Sequence, residues 1–155
     1  MRLMLAATLV TALIAPSAFA QDAADPFKDT VEMRHGLMLL MANDLGKLGA
    51  MAKGDVAYDQ PAASRAAANV TALASVMSMD LFPAGSEYGK AAESYAKPEI
   101  WTATDDFMAK ITALNVAAAA MQTAAGTDLA ALQGGMAALG GACGACHKAY
   151  RQPEE

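Results

Sequence analysis

Near the end of this 155-residue chain, Cys143-Gly144-Ala145-Cys146-His147 places two thiols two residues apart and an imidazole directly after the second. This is the spacing by which haem is joined covalently to a protein. Each thiol adds across one vinyl group of the porphyrin, both sulfurs fit one helical turn, and the next side chain faces the iron. The pattern predicts one haem c per chain, attached through Cys143 and Cys146, with His147 as the proximal ligand through a neutral ring nitrogen. A disulfide, a redox dithiol and half of a zinc site use the same residue types. Zinc needs a second pair of ligands, and the chain has two cysteines and one other histidine, the distant His35. A thioredoxin-like dithiol follows a strand, and no alternating or β-branched run precedes Cys143.

Only eight residues follow His147, with no Met or His among them, so a sixth ligand must come from an earlier segment. The first long segment, roughly 26–53, is helical by composition. With about 100° per residue and Met38 set at zero, Phe27, Val31, Arg34, Leu45 and Ala52 share a narrow wedge with it. Met41 and His35 lie about 60° to either side. The Met38 thioether is a competent axial ligand, and it is equally a flexible gap filler in a chain with eleven methionines. Within that apolar wedge an unpaired Arg34 guanidinium would be costly. Either a haem propionate pairs with it, or its stem lies along the core and its head reaches water. Arg151, one turn past His147, either tunes the proximal side or caps the helix C-terminus, where a cation is favourable. Phe82 and Trp101 are candidate aromatic walls for the haem or ordinary core residues, and Tyr150 reads equally as core.

These residues need a frame. Turn signals at Gly54-Asp55, from Phe82-Pro83-Ala84-Gly85 to Lys97-Pro98, and at Gly126-Thr127 cut the chain into four segments. The second opens with Asp59-Gln60-Pro61 and runs to about Met79, with Ala66, Val70, Leu73 and Met77 in helical register. The third opens at Lys97-Pro98-Glu99 and repeats Trp101, Thr104, Met108, Ile111, Leu114, Ala118 and Met121. The fourth, capped by Thr127 or Asp128, carries Leu129, Leu132, Met136, Leu139, Cys143, Cys146 and Tyr150 at alternating three and four spacing, so the attachment thiols lie on the apolar seam. The expected fold is all-α, an antiparallel up-down four-helix bundle with the haem inside one end. Gly134-Gly135 and Gly140-Gly141 make room for a macrocycle or a close helix, or else mark a weak helix.

Arg2, the apolar stretch Leu3 to Ile14 and Ala18-Phe19-Ala20 before Gln21 form a secretory signal, with cleavage expected after Ala20. Pro16-Ser17 interrupts the run too early for a membrane anchor. The division is thus 1–20 signal peptide and 21–155 one cytochrome domain, exported to the periplasm, where c-type haem is attached. The formal net charge of −5 becomes one unit more negative without Arg2. Such a surface argues against nucleic acid and anionic lipid as partners. No second apolar run is expected to span a membrane.

Three motifs together resemble the cytochromes c′: Val31-x-x-Arg34-x-x-x-Met38-x-x-Met41, Pro98-Glu99-Ile100-Trp101, and Cys143-x-x-Cys146-His147-x-x-Tyr150-Arg151. The resemblance covers essentially the whole chain after the signal. It implies a five-coordinate, high-spin iron, a distal face filled by Met38 without ligation, Arg151 beside the proximal histidine, a periplasmic homodimer formed through the first two helices, and binding of NO and CO. Low-spin relatives with the same bundle use a helix-one methionine as sixth ligand, which makes an electron carrier ligated by Met38 the alternative. An apolar pocket around Met38 has no neutral donor to steady bound dioxygen. A peroxidase would want a distal acid-base histidine, and His35 alone is available, at an unfavourable angle. The expected activity is therefore gas binding and single-electron transfer rather than catalysis, with the redox partner protein unspecified.

Overall fold

In the computed structural model, residues 25–153 are described; the expected signal peptide and its cleavage point lie outside them. Helix α1 spans Lys28–Lys53, α2 Gln60–Ser75, α3 Glu99–Thr102, α4 Thr104–Ala125 and α5 Leu129–Tyr150. The long helices pack as a ring, α1 on α2, α2 on α4, α4 on α5 and α5 back on α1. This is a four-helix bundle, with α3 as a short prelude to the third long helix.

Local chemistry sets the ends. Asp59 accepts a hydrogen bond from the Ala62 amide (2.8 Å) at the start of α2, and Asp128 does the same for Ala131 (2.8 Å) at the start of α5. Gly54, at φ 81°, closes α1 with its amide on the Ala50 and Met51 carbonyls. Helix α2 stops at Ser75, short of Met79, because Ser78 is extended and a single 3-10 turn follows at Met79–Leu81.

Two apolar stripes have the expected period; that of α1 is shifted in phase, and that of α4 keeps Ile111, Leu114, Ala118 and Met121 but takes Phe107 in place of Met108. On α1 the buried residues are Val31, Arg34, Met41, Asp44, Leu48 and Met51, whereas Met38 and Leu45 are half-buried because they face a cavity rather than a neighbouring helix. In the third segment Ala103 leaves the helical region (φ −129°, ψ 45°) and separates α3 from α4. The register therefore does not run on from Trp101. The buried residues of α4 are Phe107, Ile111, Leu114, Ala118, Met121 and Ala125, and Met108 is exposed.

The α5 seam is as expected: Leu132 and Leu139 are fully buried, Tyr150 is buried, and Leu129, Met136, Cys143 and Cys146 pack partly buried against the core. Of the paired glycines, Gly135 is the close approach, since a Cβ there would meet Met121 Cε at 2.9 Å; Gly134, Gly140 and Gly141 face open space. Among the described helices α5 is long and apolar enough, by length and composition alone, to cross a membrane. Alanine and glycine supply much of that apolarity, and Leu132, Leu139 and Tyr150 are its buried residues.

Candidate haem site

Between α1 and the end of α5 lies a cavity of about 470 Å³, in the range of ligand pockets. A smaller lobe of about 120 Å³ adjoins it. Cys146 and His147 line both lobes, and Cys143 lines the smaller one. The helical pitch of α5 produces this, since Cys143, Cys146 and His147 occupy one turn. Both thiols are half-buried and form no disulfide. Burial pushes both thiols up, with the neighbouring Cys143 adding to the effect at Cys146. For His147 burial first, and the Arg151 charge second, pull the imidazole down, which favours the neutral, ligand-competent form.

Met38 lines both lobes from α1. Met77, just past α2, does the same; it was not anticipated as part of the site, because the residues between Ser75 and Met79 read as more helix. Phe82 lines the larger lobe. Trp101, partly buried against the core, donates its indole N–H to the Phe82 carbonyl (2.9 Å). The second aromatic wall is Phe107, edge-on to Phe82 (centroids 4.9 Å) and to Tyr150 (5.1 Å). Only knowing the break at Ala103 would have put Phe107 on the inner face.

Arg34 also lines the larger lobe, and its guanidinium is buried against the loop that follows Phe82. Nη1 donates to Ser86 Oγ (3.0 Å), and Nη2 donates to the Ser86 carbonyl (3.0 Å) and to Ser94 Oγ (3.2 Å). Nothing in the sequence links residues 52 and 60 positions apart, so the loop's part in the site was not legible. Arg151 is exposed at the cavity mouth and caps α5, with its amide on the His147 carbonyl (2.9 Å). His35 is half-buried at the same mouth, 6.2 Å from the Tyr95 ring.

An apolar slot with two unpaired thiols and a neutral imidazole on one helical turn fits a covalently held haem. The fold and this donor set define a c-type cytochrome of the helical-bundle kind. The cytochrome c′ family model matches residues 29–151, and the chain belongs to that family. It is 54% identical over 154 residues to a cytochrome c-554 of Cereibacter sphaeroides, covering 99% of this chain and 100% of that one. A solved cytochrome c′ from Rhodobacter Spheriodes superposes with a TM-score of 0.78 at 35% identity, covering 82% of this chain and 98% of that one. A nitric oxide complex of a variant cytochrome c′ from Alcaligenes xylosoxidans gives 0.73 at 30%, covering 84% and 98%. The cofactor is accordingly haem c.

Proposed function

We propose that this chain is a periplasmic cytochrome that passes single electrons, with Met38 and His147 as the two axial side chains of a haem held by Cys143 and Cys146. The observation that carries this reading is that Met38, from α1, and His147, from α5, line both lobes of the cavity together. Haem c, held by Cys143 and Cys146, would supply one reversibly exchanged electron. Burial keeps the His147 imidazole neutral and ready to bind. The Met38 thioether is soft and flexible enough to reach across a slot. Met77 offers the same atom type, but it is buried within the core cluster, and the family resemblance puts the distal position at Met38. Phe82, Phe107 and Tyr150 exclude water from one side. None of the roles given to Arg34, Met38, Phe82 or Arg151 requires an acid-base catalyst.

A second reading, binding of NO and CO at an open distal site, is favoured by the nitric oxide complex of the Alcaligenes xylosoxidans relative. Optical and EPR spectra of the holoprotein, ferric and ferrous, separate the two. Low-spin spectra that resist CO are expected. High-spin spectra with ready CO and NO uptake would replace the first reading by the second.

A further inference from the structure

Every hydrogen bond that Arg34 makes in its buried position, given above, ends on the loop that follows Phe82, and its guanidinium carbon lies 5.1 Å over the Phe82 ring. Ser86 and Ser94 are buried too, and Ser94 Oγ donates to the Ser86 carbonyl at 2.6 Å. A cation out of water stays where acceptors face it, and these loop oxygens take three of its five donors.

Beyond Ser94 the loop runs directly onto the end of α5. The Gln152 amide donates to the Tyr95 carbonyl (2.8 Å), the Lys97 amide donates to the Tyr150 carbonyl (2.9 Å), and Ala96 forms a bridge with Arg151. Arg151 in turn bonds the His147 carbonyl (2.9 Å). A continuous run of bonds thus leads from Arg34, one turn before Met38, to the backbone of His147. On the other side of the loop, Asp25 Oδ2 accepts from the Ala92 amide (2.6 Å). Between the Asp25 and Ser94 fixings, Glu93 is held at φ 57°, a conformation that a non-glycine residue keeps only where its surroundings over-determine it.

We propose that Arg34 is a positioning residue for His147: it locks residues 86–97 beside the cavity, and the locked loop fixes the end of α5 and with it the orientation of the proximal imidazole. The proposal rests on His147 being the proximal ligand.

The test uses holoprotein carrying Arg34→Gln, Ser86→Ala/Ser94→Ala, or Ser94→Ala alone, which keeps the cation should Arg34→Gln fail to load haem. Reduction potential, ferric EPR signature and amide hydrogen exchange are measured. The serine variants are expected to move the potential and the EPR signature in the same direction as Arg34→Gln. They should also speed exchange at the Lys97 and Gln152 amides by about tenfold, as fits the loss of buried hydrogen bonds. Serine variants that leave potential and EPR at wild-type values while Arg34→Gln shifts them would overturn the proposal, because Arg34 would then act on the haem directly. Faster exchange with unchanged spectra would overturn it as well, leaving a purely structural staple. A wild-type EPR signature without a histidine ligand would remove the His147 assignment itself, and the positioning role with it.

Discussion

The Tyr150 hydroxyl, one turn beyond His147, donates to Asp106 Oδ2 at 2.6 Å. That bond, with burial behind it, pushes the phenol up to about 12 from an ordinary value of 10.0, and the same bond holds the Asp106 carboxyl below its usual range against the opposing effect of burial. The folded protein therefore resists ionising Tyr150 more than the unfolded chain does. The bond's contribution is full below the phenol's ordinary value of 10.0 and is lost as pH rises toward about 12. On the acid side it is lost as pH falls through the depressed Asp106 value. Tyr150→Phe should unfold at a lower temperature than wild type at about pH 8, and thermal scans should show the gap closing as pH passes from 10.0 to about 12. Residue types at this scale were legible where chemistry dictates them. Covalent haem attachment demands Cys143, Cys146 and His147 in fixed spacing, and any sixth ligand is expected from a segment before α5, with α1 the first candidate. The partners of Arg34 and Tyr150 were not legible, because no local rule joins a side chain to one 52 or 44 residues away.

Helix α5 is weakened by its own glycines, and neighbouring positions should respond differently. Gly134 faces open space, so Gly134→Ala should stabilise by about 1 kcal/mol through helix propensity alone. At Gly135 the new methyl meets Met121 Cε at 2.9 Å, and displacing that flexible end should cancel most of the gain. Denaturant unfolding of the two variants reads the difference. Leu132, fully buried and far from the cavity, should cost about 2–5 kcal/mol as Leu132→Ala while leaving the haem spectrum unchanged. Element identity was legible from caps and period: Asp59, Asp128 and Gly54 mark their boundaries. Phase was not legible where the chain breaks register. The turn at Ala103 brings Phe107 to the core instead of Met108, and the cavity beside α1 leaves Met38 and Leu45 half-buried.

At the scale of the molecule, α1 leaves Met33 55% and Leu40 55% exposed two turns apart on one face, an apolar strip that suits the homodimer expected from the resemblance. Sedimentation of the holoprotein should give a dimer, and Met33→Glu/Leu40→Glu should give a monomer with its haem intact. Intact mass of the exported protein should correspond to a chain beginning at Gln21 plus one haem, whereas material made without residues 1–20 in a reducing cytoplasm should lack the haem. The central claim is the pairing of Met38 with His147 across the haem. Its most direct test is the methionine-to-iron charge-transfer band in the near-infrared spectrum of the ferric holoprotein, measured for wild type, Met38→Ala and Met77→Ala. The band should be present in wild type and Met77→Ala and absent in Met38→Ala, which should turn high-spin and bind CO. A wild-type spectrum without the band, unchanged by Met38→Ala, would contradict the claim.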